Sequence, residues 1–134
     1  LTFFMMKRIL LTTVFLSIFN FLSLTATAQV NTKMHRIAKI KVDANQLERY
    51  QVALQEQMNA AIQLEPGVLS YTVAADKKDA SSITIFEVYA SLEAYQSHIA
   101  TPHFKKYKET VKDMVLSLEL IDTELVARVQ KADY

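Results

Sequence analysis

This chain alternates between segments with the periodicity of a β-strand and segments with the periodicity of an α-helix. Their order is compatible with few folds. The stretch HRIAKIKV (35–42) alternates apolar and polar residues, and strand character returns in three segments, 68–75, 82–90 and 117–130. Apolar residues recur at helical spacing in 47–62, 92–99 and 102–116. Thr101-Pro102 lies at the junction of the last two segments, so we interpret them as one helix that is split at this point. The order is then β-α-β-β-α-β.

This order predicts an α+β domain of ferredoxin-like topology, in which four strands form a sheet and the helices form a second layer. The helices cover only one face of the sheet. On the third strand, the uncovered face carries either Ile83, Ile85 and Tyr89 or the opposite set, Phe86 and Val88, and both sets are largely apolar. An uncovered apolar face is typical of an interface. We therefore expect a homodimer that packs sheet against sheet.

Helix-capping residues stand where the predicted helices begin. Asp43, followed three residues later by Gln46, has the pattern of a capping box. Ser91 and Thr101 are suited to cap the two halves of the split helix. The apolar residues expected to form the inward stripes are Leu47, Tyr50, Leu54, Met58, Ala61 and Ile62, then Leu92, Tyr95 and Ile99, then Phe104, Tyr107, Val111, Met114 and Val115.

The first 28 residues have the pattern of a secretory signal peptide. Lys7 and Arg8 precede an apolar run at 9–24, and the segment 26–28 (ATA) has the small-x-small pattern that signal peptidase recognises. The run is shorter than the roughly 20 apolar residues that span a bilayer, which favours cleavage between Ala28 and Gln29 over a retained anchor. We therefore expect an exported protein, periplasmic or secreted, with a single mature domain at 29–134 and no membrane association after cleavage.

The expected mature domain is nearly neutral and has no cysteine. Without Lys7 and Arg8 it keeps 13 basic and 14 acidic residues, a net charge of −1, so the basic surface typical of nucleic-acid binding is missing. The absence of cysteine excludes disulfides, thiolate nucleophiles and cysteine metal ligands. A hydrophobic core must therefore stabilise the domain.

The stretch YQSHIATPHFKKY (95–107) contains two of the three histidines, on either side of a proline. His98 and His103 are five positions apart, about 140° around an unbroken helix, whereas helical metal ligands are usually three or four apart. No third ligand is evident beyond His35 or Glu87, so we expect no metal site. For each histidine a purely structural role at a helix junction stays open beside a role in proton chemistry.

Three stretches together resemble the antibiotic biosynthesis monooxygenase family, and within it the small quinol-monooxygenase-like branch. They are EPGVLSYTV, FEVYASLEAYQSHIATPHFKKYKETV and LELIDTEL, and the resemblance spans about 35–127. It implies a dimeric α+β barrel in which each subunit has its own pocket between the helices and the sheet. Some members of the family oxygenate polycyclic phenols or quinols with dioxygen and no metal, flavin or haem.

The sequence departs from other branches of that family. Members that degrade haem have a tryptophan on the first half of the split helix and a histidine after the Phe-Lys pair, whereas this chain has no tryptophan, His98 in the first position and Lys108 near the second. The aromatic polyketide oxygenases favour an asparagine and a tryptophan that are also missing. The resemblance therefore implies no cofactor, and it does not transfer the substrates of those branches.

The resemblance and the chemistry of histidine together suggest roles for individual residues. A histidine has an unperturbed pKa near 6.5 and can act as a base at neutral pH. We expect His98 to be that base and His103 to orient the substrate or donate to a developing oxyanion. Glu87 would orient a histidine or face solvent. The expected substrate-binding residues are Tyr71, Glu87, Tyr89, Tyr95, Phe104 and Tyr107, although aromatic residues at helical spacing are also typical of a plain core.

Two classes of function follow from these expectations. The first is a cofactor-independent monooxygenase that oxidises a small quinol-like or hydroxyaromatic substrate with dioxygen. The second is a non-catalytic dimeric module that binds a small ligand or serves in a stress response. A third and weaker candidate is an isomerase that uses the same histidines as acid and base.

Overall fold

Four antiparallel strands and three helices make up the part of the chain that the computed structural model describes, residues 32–132. The strands are β1 (Met34–Val42), β2 (Val68–Ala75), β3 (Ser82–Tyr89) and β4 (Val115–Thr123). The helices are α1 (Leu47–Leu64), α2 (Leu92–Ile99) and α3 (Pro102–Val111). The sheet order is β2-β3-β1-β4. The predicted α+β class and ferredoxin-like topology with a split second helix are confirmed.

The expected signal peptide, residues 1–28, lies outside the described residues. Within residues 32–132, no helix combines the length and the apolar character needed to cross a bilayer.

Asp43 caps the start of the first helical segment, but the capping geometry differs from the predicted one. Its side chain accepts a hydrogen bond from the Asn45 amide and caps a 3₁₀ turn, Ala44–Gln46, that leads into α1. The Gln46 side chain donates to the Asp113 carbonyl at 3.1 Å, and the Asp43 amide donates to the Met114 carbonyl. The predicted reciprocal capping box was therefore wrong, because the loop before β4 supplies the partners.

The inward stripe of α1 contains one polar residue that the apolar pattern did not include. Tyr50, Leu54, Gln57 and Ala61 are buried, whereas Ile62 is 48% exposed, so its predicted inward position was wrong. Because side chains three and four positions apart share a helix face, the stripe runs through Gln57 and leaves Ile62 beside it.

Two caps and a proline divide the second helix as predicted. Ser91 accepts a hydrogen bond from the Ala94 amide, Thr101 accepts one from the Phe104 amide, and Pro102 occupies the first position of α3. The predicted inward stripe of α2 was wrong at Leu92, which is 53% exposed, whereas Tyr95 and the 37% exposed Ile99 line the space between the helices and the sheet. His98 is the buried residue of this helix.

The C-terminal elements have other bounds than the sequence predicted. α3 ends at Val111 and not near position 116, because the chain turns at 112–114 and Val115 already pairs with Val42 in the sheet. β4 then ends at Thr123, so the predicted strand character of 124–130 was wrong. Val115 and Met114 still pack on the core through the turn and the strand.

The two faces of the sheet are now distinguished. Ile83, Ile85 and Tyr89 are buried on the helix-covered face, so Phe86 and Val88 lie on the other face. Strand register aligns Phe86 with Ile37, and Ile37 with Ile121. We call Ile37, Phe86, Val88 and Ile121 the outer apolar patch. None of its members belongs to the core clusters under the helices, and Val88 is already buried within the subunit, at 9% exposed.

Gly67, the only glycine of the chain, allows β2 and α2 to approach closely. A Cβ atom built on Gly67 would lie 2.6 Å from the Cβ of Ala94. Because that neighbour is a short side chain held on a helix, it cannot rotate away, and overpacking of this kind costs about 1 to 3 kcal/mol.

We expect Gly67→Ala to lower the free energy of unfolding by that amount, measured by urea denaturation. The double variant Gly67→Ala/Ala94→Gly removes the clash and should recover part of the loss, even though glycine in a helix is itself unfavourable by about 1 kcal/mol. Equal stability of Gly67→Ala and the parent would show that the two backbones separate without cost.

Candidate functional site

A cavity of about 380 Å³ lies between the helices and the covered face of the sheet. Its volume is within the range of small-molecule sites. Apolar and aromatic side chains form most of its wall, and Arg36, Glu87 and Lys108 are the charged side chains that line it. Leu118 and Leu120 of β4 also line it and are 44% and 49% exposed. The cavity is therefore apolar inside and accessible from the β4 side.

Seven of the eight residues that the sequence singled out line this cavity. They are Tyr71, Glu87, Tyr89, Tyr95, His98, Phe104 and Tyr107. His103 does not line it, and instead faces the junction between the end of α1 and the start of α3, where its Nε2 lies 2.5 Å from the Glu65 carboxylate. The two histidines are thus neighbours, with ring centroids 6.2 Å apart, but only His98 reaches the cavity.

His98 is 1% exposed and both of its ring nitrogens have partners. Its Nδ1 lies 2.9 Å from Glu65 Oε1. Its Nε2 lies 3.1 Å from the Tyr71 hydroxyl and 3.1 Å from the Gln57 side-chain nitrogen. Phe104 packs edge-on against the ring, with centroids 4.8 Å apart. These contacts fix the position of the imidazole.

The partners of His98 determine which nitrogen carries a proton. A carboxylate only accepts hydrogen bonds, so Nδ1 donates to Glu65. Burial lowers the pKa of His98 against the opposing effect of the Glu65 hydrogen bond and charge, with His103 adding to the lowering. In the neutral ring Nε2 is therefore unprotonated, so it accepts hydrogen bonds from Tyr71 and Gln57 and can take up a proton. This is the tautomer that a base needs.

Glu65, His98 and His103 have the composition of a metal site, and their ligand atoms lie within 4.8 Å of one another. In a tetrahedral zinc site, however, ligand atoms about 2.0 to 2.1 Å from the ion are roughly 3.3 Å apart. Here Glu65 Oε1 lies 2.9 Å from one ring nitrogen and 2.5 Å from the other. These are hydrogen-bond separations, so the geometry is that of one carboxylate accepting from two imidazoles.

A group of phenols and a carboxyl group continue the polar side of the wall. The Tyr71 and Tyr89 hydroxyls are 3.4 Å apart, and the Tyr89 hydroxyl donates to Glu87 at 2.9 Å. Burial raises the pKa of Tyr71 to about 12 and also raises that of Tyr89. Burial raises the pKa of Glu87 as well, against the lowering effects of the Tyr89 hydrogen bond and the Arg36 charge. Glu87 contacts no histidine and faces the cavity.

Arg36 and Tyr95 form one end of the cavity wall. The Arg36 guanidinium lies 4.2 Å from the centroid of the Tyr95 ring, and its Nη2 lies 2.7 Å from Asp122. The Arg36 side chain is 11% exposed, whereas Asp122 is 72% exposed. This end therefore has a positive charge that is held in place by an aromatic ring and a surface carboxylate.

Sequence reasoning missed Glu65 and Gln57. Glu65 stands just before Pro66-Gly67, and in the sequence it draws notice only as the first residue of the stretch EPGVLSYTV. Gln57 was passed over because it interrupts an apolar stripe, which is itself the available signal: a polar residue on the inward face of a helix needs a buried partner. Its partner is His98.

The lowered pKa of His98 makes stability depend on pH. The unfolded chain binds a proton at this histidine below about pH 6.5, whereas the folded protein keeps the ring neutral to a lower pH. Stability should therefore fall as the pH falls below that value. The slope from one such group is at most about 1.4 kcal/mol per pH unit.

Urea denaturation of the parent and of His98→Gln at about pH 7.5 and about pH 5.5 measures this contribution. We expect the parent to lose more stability than the variant. The raised pKa of Glu87 acts in the opposite direction, but both proteins contain Glu87, so its effect largely cancels in the comparison. Equal losses would mean that His98 binds its proton equally well in the folded and unfolded states.

The fold matches solved structures of small proteins. A Bacteroides thetaiotaomicron protein, provisionally named an antibiotic biosynthesis monooxygenase, is 46% identical, with a TM-score of 0.71 over 75% of this chain and 95% of its own. A protein from Chloroflexus aurantiacus with the same provisional name is 26% identical, with a TM-score of 0.64 over 74% of this chain and 98% of its own.

Sequence comparison gives a consistent assignment. An uncharacterised protein from Synechocystis is 29% identical over 91 residues, which are 68% of this chain and 61% of that protein. The chain thus spans about three fifths of the length of this curated relative. The family model for antibiotic biosynthesis monooxygenase matches residues 34–110, which include Glu65, His98 and His103. This chain therefore belongs to the antibiotic biosynthesis monooxygenase family.

Proposed function

We propose that the protein is a cofactor-independent monooxygenase that oxidises a small quinol-like or other hydroxyaromatic substrate with dioxygen. The observation that carries the proposal is the neutral, buried imidazole of His98 on the wall of an apolar, aromatic cavity. Its Nδ1 is held by Glu65, so that its Nε2 is available as a base. A flat aromatic substrate suits this wall, since Tyr71, Tyr89, Tyr95, Phe104 and Tyr107 offer ring faces and edges.

The proposed reaction starts with removal of one hydroxyl proton from the quinol. The proton goes to His98 Nε2, the ring nitrogen that faces the Tyr71 hydroxyl and the Gln57 side chain. The anion gives one electron to dioxygen, and the resulting radical and superoxide combine at a ring carbon. Loss of water from the hydroperoxide leaves a hydroxyquinone, so that quinol and dioxygen become hydroxyquinone and water. General-base catalysis of this kind contributes about 10²- to 10⁴-fold.

We further propose that two subunits pack through the outer apolar patch. Ile37, Phe86 and Ile121 form one continuous row across three strands, and Val88 adjoins it. A second copy of the same patch is a suitable cover, because a two-fold interface sets identical surfaces against each other. The cavity lies on the opposite face of the sheet, so each subunit would keep its own site.

Oxygen uptake with menadiol and related quinols tests the proposed reaction. Analysis of the product under ¹⁸O-labelled dioxygen separates it from simple oxidation: a monooxygenase places one labelled atom in the quinone and releases water, whereas an oxidase yields unlabelled quinone and hydrogen peroxide. The activity should survive treatment with a chelator and removal of any flavin.

Three outcomes contradict the proposal. Uptake no faster than in buffer across several quinols would favour the non-catalytic, ligand-binding alternative. Unlabelled quinone with stoichiometric peroxide would identify an oxidase. Turnover of a substrate under strictly anaerobic conditions would favour an isomerase.

A further inference from the structure

The polar groups of the cavity wall form one continuous series from Glu87 to the protein surface. Tyr89 lies 2.9 Å from Glu87, Tyr71 lies 3.4 Å from Tyr89, and His98 lies 3.1 Å from Tyr71. The series then leaves the cavity, since His98 lies 2.9 Å from Glu65 and Glu65 lies 2.5 Å from His103. The side chains of Glu65 and His103 are 12% and 18% exposed, so the outer end reaches solvent.

The fold brings these groups together for simple geometric reasons. Side chains two positions apart on a strand share a face, which places Glu87 and Tyr89 side by side on the inner face. Tyr71 pairs directly with Glu87 across the β2–β3 ladder. His98, on α2, contacts the Tyr71 hydroxyl through its Nε2. Glu65, just after the end of α1, contacts the Nδ1 of the same ring.

We propose that Glu87, Tyr89, Tyr71 and His98 form a proton-transfer chain along the cavity wall, which Glu65 extends to the surface. This deepens the proposed function and rests on it for the source of the proton. When the carboxyl of Glu87 holds a proton, it donates to Tyr89 in place of accepting from it, Tyr89 donates to Tyr71, and Tyr71 donates to His98 Nε2. When each group passes one proton along, Glu87 becomes a carboxylate and His98 becomes an imidazolium ion.

The chain then supplies a base at the centre of the cavity. The Glu87 carboxylate then takes a proton from the substrate, so that the chain as a whole moves one proton from the substrate to His98 Nε2, which remains its acceptor. The imidazolium passes its Nδ1 proton to Glu65, whose side chain is 12% exposed and releases it to water. Every hydroxyl gives up one proton and receives one, so no group along the way changes its charge. The raised pKa values of Tyr71 and Tyr89 agree with hydroxyls that stay protonated between transfers.

The charges around both ends favour this arrangement. At the inner end, burial keeps Glu87 protonated more readily than an exposed carboxyl, while Arg36 from β1 stabilises its ionised form. At the outer end, Glu65 from α1 and His103 from α3 act on His98 in opposite directions, and burial lowers the pKa of His98. The raised pKa of Glu87 and the lowered pKa of His98 thus bring the proton affinities of these two groups closer together. The longest link, between Tyr71 and Tyr89, exceeds an ordinary hydroxyl hydrogen bond by about 0.4 Å.

A titration experiment tests the chain without any turnover. In protein labelled with ¹⁵N-histidine, the signals of His98 are assigned from their loss in His98→Gln and followed against pH by NMR. Because the chain couples the two groups, Glu87→Gln should change the apparent pKa of His98 by about one pH unit. In proteins that also carry Tyr71→Phe or Tyr89→Phe, Glu87→Gln should change the apparent pKa of His98 by less than about a third of that amount.

Coupling through space alone predicts the opposite result. A phenylalanine in place of the hydroxyl leaves the charge on Glu87 and its distance from His98 unchanged, so the effect of Glu87→Gln would persist. The proposal would be overturned if Glu87→Gln left the apparent pKa of His98 unchanged in the otherwise unaltered protein. It would also be overturned if the effect of Glu87→Gln on that pKa persisted in both phenylalanine variants. Tyr50→Phe is the matched control, because the Tyr50 hydroxyl pairs with Tyr107 at 2.9 Å and lies outside the chain.

Kinetics provide a second test if the protein oxidises menadiol. Tyr71→Phe and Tyr89→Phe should lower kcat by about 10- to 100-fold and leave KM within about twofold, with a solvent deuterium isotope effect that differs from that of the parent. A loss confined to KM would mean that the hydroxyls only bind substrate. If no quinol is oxidised by the parent, the proposed function fails, and the titration still decides whether the chain exists.

Discussion

His98→Gln is expected to lower kcat for quinol oxidation by about 100-fold or more. Glutamine has a similar reach and can keep a hydrogen bond to Glu65 or Tyr71, but it cannot accept a proton at neutral pH. The loss should therefore appear in kcat, because the aromatic wall that binds the ring is unchanged. Steady-state oxygen uptake with menadiol over a range of concentrations measures both constants.

Controls separate lost chemistry from lost structure in this variant. Gln96 is exposed on the same helix, and Gln96→Ala should retain the parent rate. Glu65→Gln should fall between the two, because it leaves the base in place and removes the carboxylate that holds its tautomer. Full activity of a correctly folded His98→Gln protein would refute the assignment of His98 as the base, while the monooxygenase proposal would stand.

Phe86→Glu is expected to convert the proposed dimer to a monomer. In a two-fold interface the substitution occurs twice, and each uncompensated charge buried on association costs on the order of 3 to 5 kcal/mol. The dissociation constant should thus rise by at least about a thousandfold. Sedimentation equilibrium of the parent and the variant measures this change directly.

Val52→Glu is the matched control for that experiment. Val52 is 65% exposed on α1, on the helical side of the domain, so the same kind of change there should leave the association unaffected. Far-UV circular dichroism verifies that both variants are folded. A parent protein that sediments as a monomer at all concentrations would refute the dimer.

Much of the fold could be predicted because local periodicity reports burial. The alternation in 35–42 and the caps at Asp43, Ser91 and Thr101 are local signals, and they place the elements within a few residues. The errors in the predicted element bounds occur where a residue far away in the chain determines the local structure. The sheet draws Val115 into β4 by pairing it with Val42, and the predicted last turns of α3 are lost as a result.

The candidate site could be predicted only in part. Seven of the residues that line the cavity were singled out from their type and from a resemblance. Glu65 was not, because nothing near Pro66-Gly67 indicates that a carboxylate turns back to two histidines more than 30 positions away. The premise that no third metal ligand accompanies the two histidines was wrong, because the carboxylate of Glu65 lies beside both of them. The absence of a metal site stays a prediction.

The order of strand and helix periods by itself determined the topology, since each segment must bury its own apolar side and few arrangements allow all of them to do so. Only the tertiary structure decided which sheet face the helices cover, where His98 obtains its partners, and that Glu87 turns towards the cavity. Those outcomes depend on contacts between residues far apart in the chain. A carboxyl group that looks ordinary in sequence acquires its properties from the groups that folding places beside it.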